Sequence, residues 1–313
     1  MSDWKILVSD GLSAGGLAIL KAAATVDDKP GIGAEELLAT AAEYDAFVIR
    51  GRTKVTAAVF EAATKLKAVG RAGVGVDNID LAAARAKGVT VVNAPKSTSL
   101  AVAELAIGMM FAVARRIPWA DATMKQGQWE KKKLEGIELT GKTLGVIGMG
   151  NIGSAVVQRA AALGMAVIGY DPLVPADEIT RRGAEPVTLE ALYAGADFIT
   201  IHIPLTPESK NMISGQAFGQ MKRGVRLIDA ARGGVVDETA LLGALESGQV
   251  AAAALDVFAT EPPGLTALVA HPNVIATPHI GAQTEEAQTR AGDDIASEVL
   301  AVLRGEPLRW KIV

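Results

Sequence analysis

The run Leu144-Gly145-Val146-Ile147-Gly148-Met149-Gly150-Asn151-Ile152-Gly153 joins a short apolar stretch to a GxGxxG turn. Glycines are common in turns, so the flanks decide what this one means. An apolar strand, Thr143 to Ile147, leads in, and a helix-compatible run, Ile152 to Leu163, leads out. A second apolar strand, Ala166 to Tyr170, then ends at Asp171, eighteen residues past Gly153. Strand, glycine turn, helix, strand and acid in that order specify a dinucleotide-binding βαβ unit. Gly148 makes the tight turn, Gly150 lets backbone approach a pyrophosphate, and Gly153 lets helix and strand pack closely. The helix N-terminus then faces the anion. Asp171 is placed to accept hydrogen bonds from the adenosine ribose hydroxyls and to repel a 2′-phosphate, which favours NAD over NADP. Arg181 and Arg182 would serve NADP only if their loop folds back.

Outward from this unit the alternation continues. Phe198 to Ile201, Val225 to Ile228, Ala252 to Asp256 and Val274 to Ala276 read as buried strands, most of them separated by helical patterns. Upstream, Ile6 to Val8, Asp45 to Ile49, Leu66 to Val69 and Val89 to Val92 alternate with Ala-rich helical stretches, the rhythm of a second parallel sheet. A turn-rich stretch, Asn93 to Thr98, separates the two, with a boundary near Pro95. The apolar segment Ala101 to Ala114 is interrupted by Glu104 and falls short of the roughly 20 residues a bilayer crossing requires, so it reads as a buried helix. A basic segment, Trp129 to Lys133, follows. Thr284 to Leu303 reads as one amphipathic helix with no strand after it, and is assigned to the first lobe. The expected fold is α/β, with two doubly wound parallel-sheet, Rossmann-like domains.

A chain of 313 residues, half of them apolar, has ample core for two such lobes. The net charge of −4 offers no broad basic field, which points away from nucleic acid and toward a small-molecule partner. With no cysteine, thiolate nucleophiles, disulfides and Cys-ligated zinc are excluded, and no metal is expected. Met1 to Val8 enters a strand without the features of a secretory signal, which implies a cytoplasmic protein, with no membrane span.

Hydride transfer between NAD and a carbonyl carbon requires a proton for the carbonyl oxygen, and histidine suits that task. Only three are present. His279 is chosen, since Thr277-Pro278-His279-Ile280-Gly281-Ala282 follows a strand and carries a rigid Pro and a permissive Gly. His202 also ends a strand, and lines the cofactor pocket in the alternative. His271 lies in a polar loop and reads as solvated. A carboxylate beside the acid would favour the imidazolium, and Glu261 is a candidate. Arg232, just after the strand Val225 to Ile228, stands at the sheet edge where α/β ligands bind and suits a substrate carboxylate.

With those residues assembled, the chain resembles the D-isomer-specific 2-hydroxyacid dehydrogenases nearly end to end, and within them the branch acting on 3-phosphoglycerate in serine biosynthesis. The resemblance is carried by Gly70-Arg71-Ala72-Gly73-Val74-Gly75-Val76-Asp77-Asn78, Ala103-Glu104-Leu105, the GxGxxG turn, Ala231-Arg232-Gly233-Gly234, Leu255-Asp256-Val257-Phe258, Glu261-Pro262-Pro263 and Pro278-His279-Ile280-Gly281-Ala282. It implies a catalytic trio of Arg232, Glu261 and His279. It also implies NAD contacts from Gly148, Gly150, Asn151, Ile152, Gly153, Asp171, Ile203, Ala230, Ala231, Arg232, Asp256, His279, Gly281 and Ala282, with Asp256 at the nicotinamide amide. The implied organisation is an NAD-binding domain, 96–282, inserted into a discontinuous substrate-binding domain, 1–95 plus 283–313. A homodimer joined through the NAD-binding domains is implied as well, using the helix Leu100 to Ala114 and the arm through Trp129.

Two departures from the family pattern stand out. Val74 replaces a Thr found in some members of the branch, leaving backbone N–H groups at Val74 and Gly75 to meet the substrate carboxylate. The chain also ends at Val313, where many relatives continue into a C-terminal regulatory domain, so feedback inhibition by that route is not expected. For a 3-phosphate, the candidate cations are Arg50, Arg52, Arg71 and Lys131. The competing expectations are a sister dehydrogenase for glyoxylate, hydroxypyruvate, lactate or sulfolactate, and an NAD-sensing corepressor on the same fold.

Overall fold

A computed structural model describes residues 3–313; Met1 and Ser2 of the expected N-terminal segment lie outside the described residues. The chain divides into two compact units, Met1–Ser99 with Ala282–Val313, and Leu100–Gly281. These divisions fall within a few residues of Pro95 and Gln283.

The first unit runs β1 (Lys5–Val8), α1 (Ala14–Lys21), β2 (Thr25–Asp28), α2 (Ala34–Thr40), β3 (Ala46–Ile49), α3 (Ala57–Ala62), β4 (Ala68–Arg71), α4 (Leu81–Ala86) and β5 (Thr90–Asn93). All five strands are parallel, in the order β2-β1-β3-β4-β5, a doubly wound order. The central strands β1, β3 and β4 are buried on both faces except at Lys5 and Arg71 on their ends, which is why they read as short apolar runs. Strand β2, Thr-Val-Asp-Asp at the sheet edge, is an addition to the strands expected from sequence.

The second unit runs α5 (Ser99–Arg115), α6 (Ile117–Lys125), β6 (Thr143–Ile147), α7 (Asn151–Ala162), β7 (Ala166–Tyr170), α8 (Ala176–Arg181), β8 (Glu185–Pro186), α9 (Leu189–Gly195), β9 (Phe198–Ile201), α10 (Gly215–Gln220), β10 (Val225–Asp229), α11 (Glu238–Glu246), β11 (Val250–Leu255) and β12 (Val274–Ala276). Its seven parallel strands are ordered β12-β11-β10-β9-β6-β7-β8. The chain thus winds outward in one direction from β6 through β8, then returns and winds the other way from β9 through β12. The reversal between β6 and β9 is the switch point at which open α/β sheets bind ligands beyond their strand C-termini. Both faces of this sheet are covered: one core gathers Ile199, Leu227, Leu241 and Leu255, the other Met110, Val146, Val156 and Phe198. The two-residue β8 escaped the sequence reading.

The last helix, α12 (Glu285–Arg304), belongs to the first unit. Thr284 caps it by accepting the Ala287 N–H, and Gly305, left-handed at φ +68°, ends it. Its apolar face, Ala291, Ile295, Ala296 and Val299, packs with Ile6, Val8, Val48, Ala68 and Val92 of the sheet. An isolated antiparallel bridge between Val92 and Lys311 follows it, where sequence showed no strand.

Candidate active site

The site is built at the C-terminal ends of the second unit's strands. After β6 the backbone turns at Gly148, φ +95°, where a Cβ would stand 2.5 Å from the His202 carbonyl oxygen. A Cβ on Gly153 would overlap the Gly148 carbonyl, so strand and helix meet here only through glycine. Around Gly150 there is open space, and as N-cap it has no side chain to offer, which leaves the start of α7 to a ligand. Asp171, just past β7, accepts the Met149 N–H at 2.8 Å and the Leu173 N–H at 2.9 Å. Arg182 reaches the glycine turn, but its guanidinium is committed to Glu178 at 2.7 Å and to the Met149 carbonyl rather than left for a 2′-phosphate. Both backbone polar groups of Met149, its N–H and its C=O, are therefore fixed, one by an acid and one by a base.

Past β10 the chain forms a second turn. Asp229 is buried, and its carboxyl accepts the Ala231 N–H at 2.9 Å. Burial pushes this carboxyl up to about 7; the Ala231 N–H and Arg232 oppose the shift, while Asp256 and Glu238 add to it. The next residue in the turn, Arg232, donates to the Ala231 carbonyl at 2.6 Å. Gly233 lies so close to the Phe258 carbonyl that any side chain would collide with it, which seats this turn against the loop carrying Glu261.

Past β11, Asp256 is buried and holds the histidine turn. One oxygen accepts the Thr277 hydroxyl at 2.6 Å and the Ile280 N–H at 2.8 Å, and the other accepts the Gly281 N–H at 2.8 Å. Between these anchors His279 adopts φ +52°, an uncommon conformation that single polar residues reach when their surroundings fix it. Its Nδ1 lies 2.8 Å from Glu261 Oε2, and Glu261 Oε1 accepts the Phe258 N–H at 3.1 Å. A carboxylate accepts and does not donate, so Nδ1 carries the hydrogen and Nε2 is left for another group. The imidazole is 46% exposed, open to a ligand.

The other two histidines differ. His202 Nε2 lies 2.9 Å from the Thr200 hydroxyl, and burial depresses the ring to about 3, so it is neutral at physiological pH. Burial therefore disfavours the imidazolium there, whereas His279 has Glu261 beside it. His271 is half-buried, and its Nδ1 accepts the Asn273 N–H at 3.1 Å, correcting the solvated reading.

In the first unit, the expected substrate residues Arg50, Arg52, Arg71, Val74 and Gly75 gather at the ends of β3 and β4. Arg50 donates its N–H to Asp10 at 2.7 Å and its guanidinium to the neutral Gln283 amide at 3.1 Å, and burial lowers its pKa. Arg52, by contrast, is engaged by Asp10 at 3.2 Å and by the Ser9 carbonyl at 2.9 Å. Its charge is matched locally, which disfavours the phosphate role expected for it. Arg71 folds over Gly73, where a Cβ would strike the guanidinium. Val74 gives its carbonyl to Asn93 at 2.6 Å. Lys131 stands exposed in a 3-10 turn of the second unit, and its neighbour Lys133 pairs with Glu130. Ile203 and Ala230 follow β9 and β10 beside the glycine and arginine turns, while Ala282 opens the first unit's returning segment and accepts from Gln288 at 2.6 Å. Asp10, Asp229 and Glu238, which accepts the Ala259 N–H, organise these loops and escaped the sequence reading.

Among the described residues no His, Cys, Asp and Glu side chains group as metal ligands, and no helix is long and apolar enough to cross a membrane. The NAD-binding domain profile of the D-isomer specific 2-hydroxyacid dehydrogenases matches residues 107–281. D-3-phosphoglycerate dehydrogenase of Methanocaldococcus jannaschii is 50% identical over 303 residues, covering 96% of this chain and 58% of that protein. The Rattus norvegicus protein of that name is 48% identical over 305 residues, 97% of this chain and 57% of its own. The chain therefore spans a little over half the length of these relatives. Among solved structures, the TT0316 protein of Thermus thermophilus superposes with a TM-score of 0.90 at 34% identity, covering 99% of this chain and all of that one. A glyoxylate reductase from Paecilomyes thermophila gives 0.91 at 29%, over 100% and 99% of the two chains. The glycine turn with its acid at the switch point, the histidine–glutamate pair beside it and these matches agree: the chain belongs to the D-isomer specific 2-hydroxyacid dehydrogenase family and binds NAD.

Proposed function

We propose that the chain oxidises 3-phospho-D-glycerate to 3-phosphohydroxypyruvate, and that the His279–Glu261 pair, 2.8 Å apart at the edge of the NAD-binding sheet, is the observation that carries the reading. Bound NAD supplies the acceptor for the hydride leaving C2. His279 Nε2 takes the C2 hydroxyl proton, with Glu261 holding Nδ1–H so that the free lone pair faces the substrate and the imidazolium that forms has a counter-charge. Arg232 holds the substrate carboxylate in its planar fork. In the first unit, the backbone N–H groups of Val74 and Gly75 are the candidate carboxylate donors. Gly148, Gly150, Asn151, Ile152 and Gly153 receive the pyrophosphate. Asp171 receives the ribose, and Ile203, Ala230, Ala231, Asp256, Gly281 and Ala282 line the rest of the cofactor path. Asp256 already serves three donors of the histidine turn, so its part includes holding His279 in place.

The 3-phosphate is supported by the named activity of the curated relatives and by Arg50, whose half-desolvated guanidinium meets a neutral amide and no acid in an ion pair among the described residues. Arg71 and Lys131 complete the candidate set. A homodimer through the NAD-binding unit is supported by the exposed apolar side chains Phe111, Ile117, Met124 and Trp129 on α5, α6 and the arm. A cytoplasmic location belongs to the same reading.

Initial rates with NAD and NADP across 3-phosphoglycerate, D-glycerate, D-lactate, glyoxylate and hydroxypyruvate test the substrate. The highest kcat/KM is expected for 3-phosphoglycerate with NAD, and Arg50→Ala should raise its KM far more than that for D-glycerate. A higher kcat/KM for an unphosphorylated acid, with equal effects of Arg50→Ala, would establish a sister dehydrogenase instead.

A further inference from the structure

At the opposite, N-terminal edge of the seven-stranded sheet lies a cavity of about 90 Å³, lined in part by Arg116, Trp119, Glu135, Arg226 and Asn273. Arg116 stands between α5 and α6 at φ +52°, its guanidinium 5.2 Å from the Trp119 ring. Arg226, on the second residue of β10, lies 5.5 Å from the Phe198 ring and gives one N–H to the Gly224 carbonyl at 3.3 Å. The Nε of both is buried and without a hydrogen-bond partner among the described residues, and neither guanidinium forms a salt bridge there. Burial lowers the Arg226 pKa, with only the attraction of Asp197 opposing it.

Two cations that line one small cavity repel each other, and a buried N–H of a charged group is costly to leave unmet. A guanidinium presents paired donors in a plane that match two oxygens of a phosphate or carboxylate. The cavity exceeds the roughly 10–15 Å³ that a single water needs. Glu135 lines it yet is exposed and reaches neither arginine within ion-pair distance.

We propose that this cavity is a binding site for a small oxyanion, with inorganic phosphate its best match, held between Arg116 and Arg226. It is separate from the dinucleotide edge: Arg226 lies near the start of β10, and the Asp229–Arg232 turn leaves its other end. The site depends on neither the substrate assignment nor the identity of the catalytic residues.

The test is calorimetric titration of inorganic phosphate into NAD-loaded protein carrying Arg50→Ala, which removes the proposed substrate-phosphate contact, at fixed ionic strength with chloride as the balancing anion. Arg116→Gln and Arg226→Gln should each weaken phosphate binding about tenfold or more, the loss of one charge-assisted pair. Affinity for NAD should stay unchanged, which also reports that the variants fold. Arg116 lies in a turn, so its variant carries the test should the strand variant fail to fold. Glu135→Gln should tighten phosphate by removing a nearby carboxylate. Phosphate affinity unchanged by Arg116→Gln with NAD binding intact would overturn the proposal, leaving water as the occupant. So would subunit dissociation in that variant without any change in phosphate affinity, which would make the arginine a subunit contact.

Discussion

Replacing Asp229 with Asn should stabilise the NAD-binding unit, and do so more as pH rises. The wild-type carboxyl is buried at the end of β10 with its pKa pushed up to about 7 from an ordinary 3.8. Below pH 4 it is protonated in both folded and unfolded chains and contributes nothing pH-dependent. Between about 4 and 7 the unfolded chain releases the proton and the folded one keeps it, so wild-type stability falls with rising pH. Above 7 both are ionised, and the folded state bears the full penalty. A shift of about three units corresponds to about 4 kcal/mol at most. Asn retains an oxygen for the Ala231 N–H and carries no charge, so it avoids the penalty. Urea melts at pH 5 to 8 read this directly, with Trp4→Phe and Trp310→Phe in the background so that Trp119 and Trp129 report on the NAD-binding unit. The variant's advantage should be about 2–3 kcal/mol larger at pH 8 than at pH 5. A stability difference independent of pH, or one that shrinks as pH rises, would refute the burial argument.

His279→Ala should lower kcat by roughly 100- to 10,000-fold with the dissociation constant for NAD nearly unchanged by fluorescence titration, the signature of lost acid–base work. Arg232→Lys should reduce kcat/KM by tenfold or more, because an ammonium cannot hold both carboxylate oxygens, and steady-state rates check it. Asp171→Ala should weaken NAD more than NADP in equilibrium binding, since it removes both a ribose acceptor and the charge facing a 2′-phosphate.

The glycine fingerprint and most strands were legible because their causes are local. β6 and β9 are almost wholly buried and, apart from Thr143 and Thr200, carry only apolar residues or glycine, so they stand out in a one-dimensional reading. β2 was not legible: as an edge strand it pairs on one side only and carries Thr25, Asp27 and Asp28 where an inner strand could not. β8 contains Pro186, tolerated only at such an edge. β11 begins two residues before its expected start, since Val250 and Ala251 run into Ala252 with no boundary signal. The site divides in the same way. Arg232, Glu261 and His279 sit beside turn residues that mark functional loops, yet the pairing of residues 261 and 279 exists only once two loops meet. Arg50 and Arg52 look alike in sequence. They differ because Asp10, past the neighbouring strand β1, pairs with the side chain of Arg52 and takes only the backbone N–H of Arg50.

The inserted arrangement of the units fixes an order of events at the ribosome. Residues 3–99 emerge before 100–281, and α12 emerges after both. At about 5–20 residues per second, the 182 residues of the insert (281 − 99) take roughly 10–40 s to synthesise. Throughout that interval the sheet face of Ile6, Val8, Val48 and Ala68 lacks Ile295 and Val299, which cover it in the finished protein. The nascent sheet is therefore a species with an open apolar face until α12 arrives. The inserted unit, contiguous in sequence, has all its strands in hand and can fold while its host still waits.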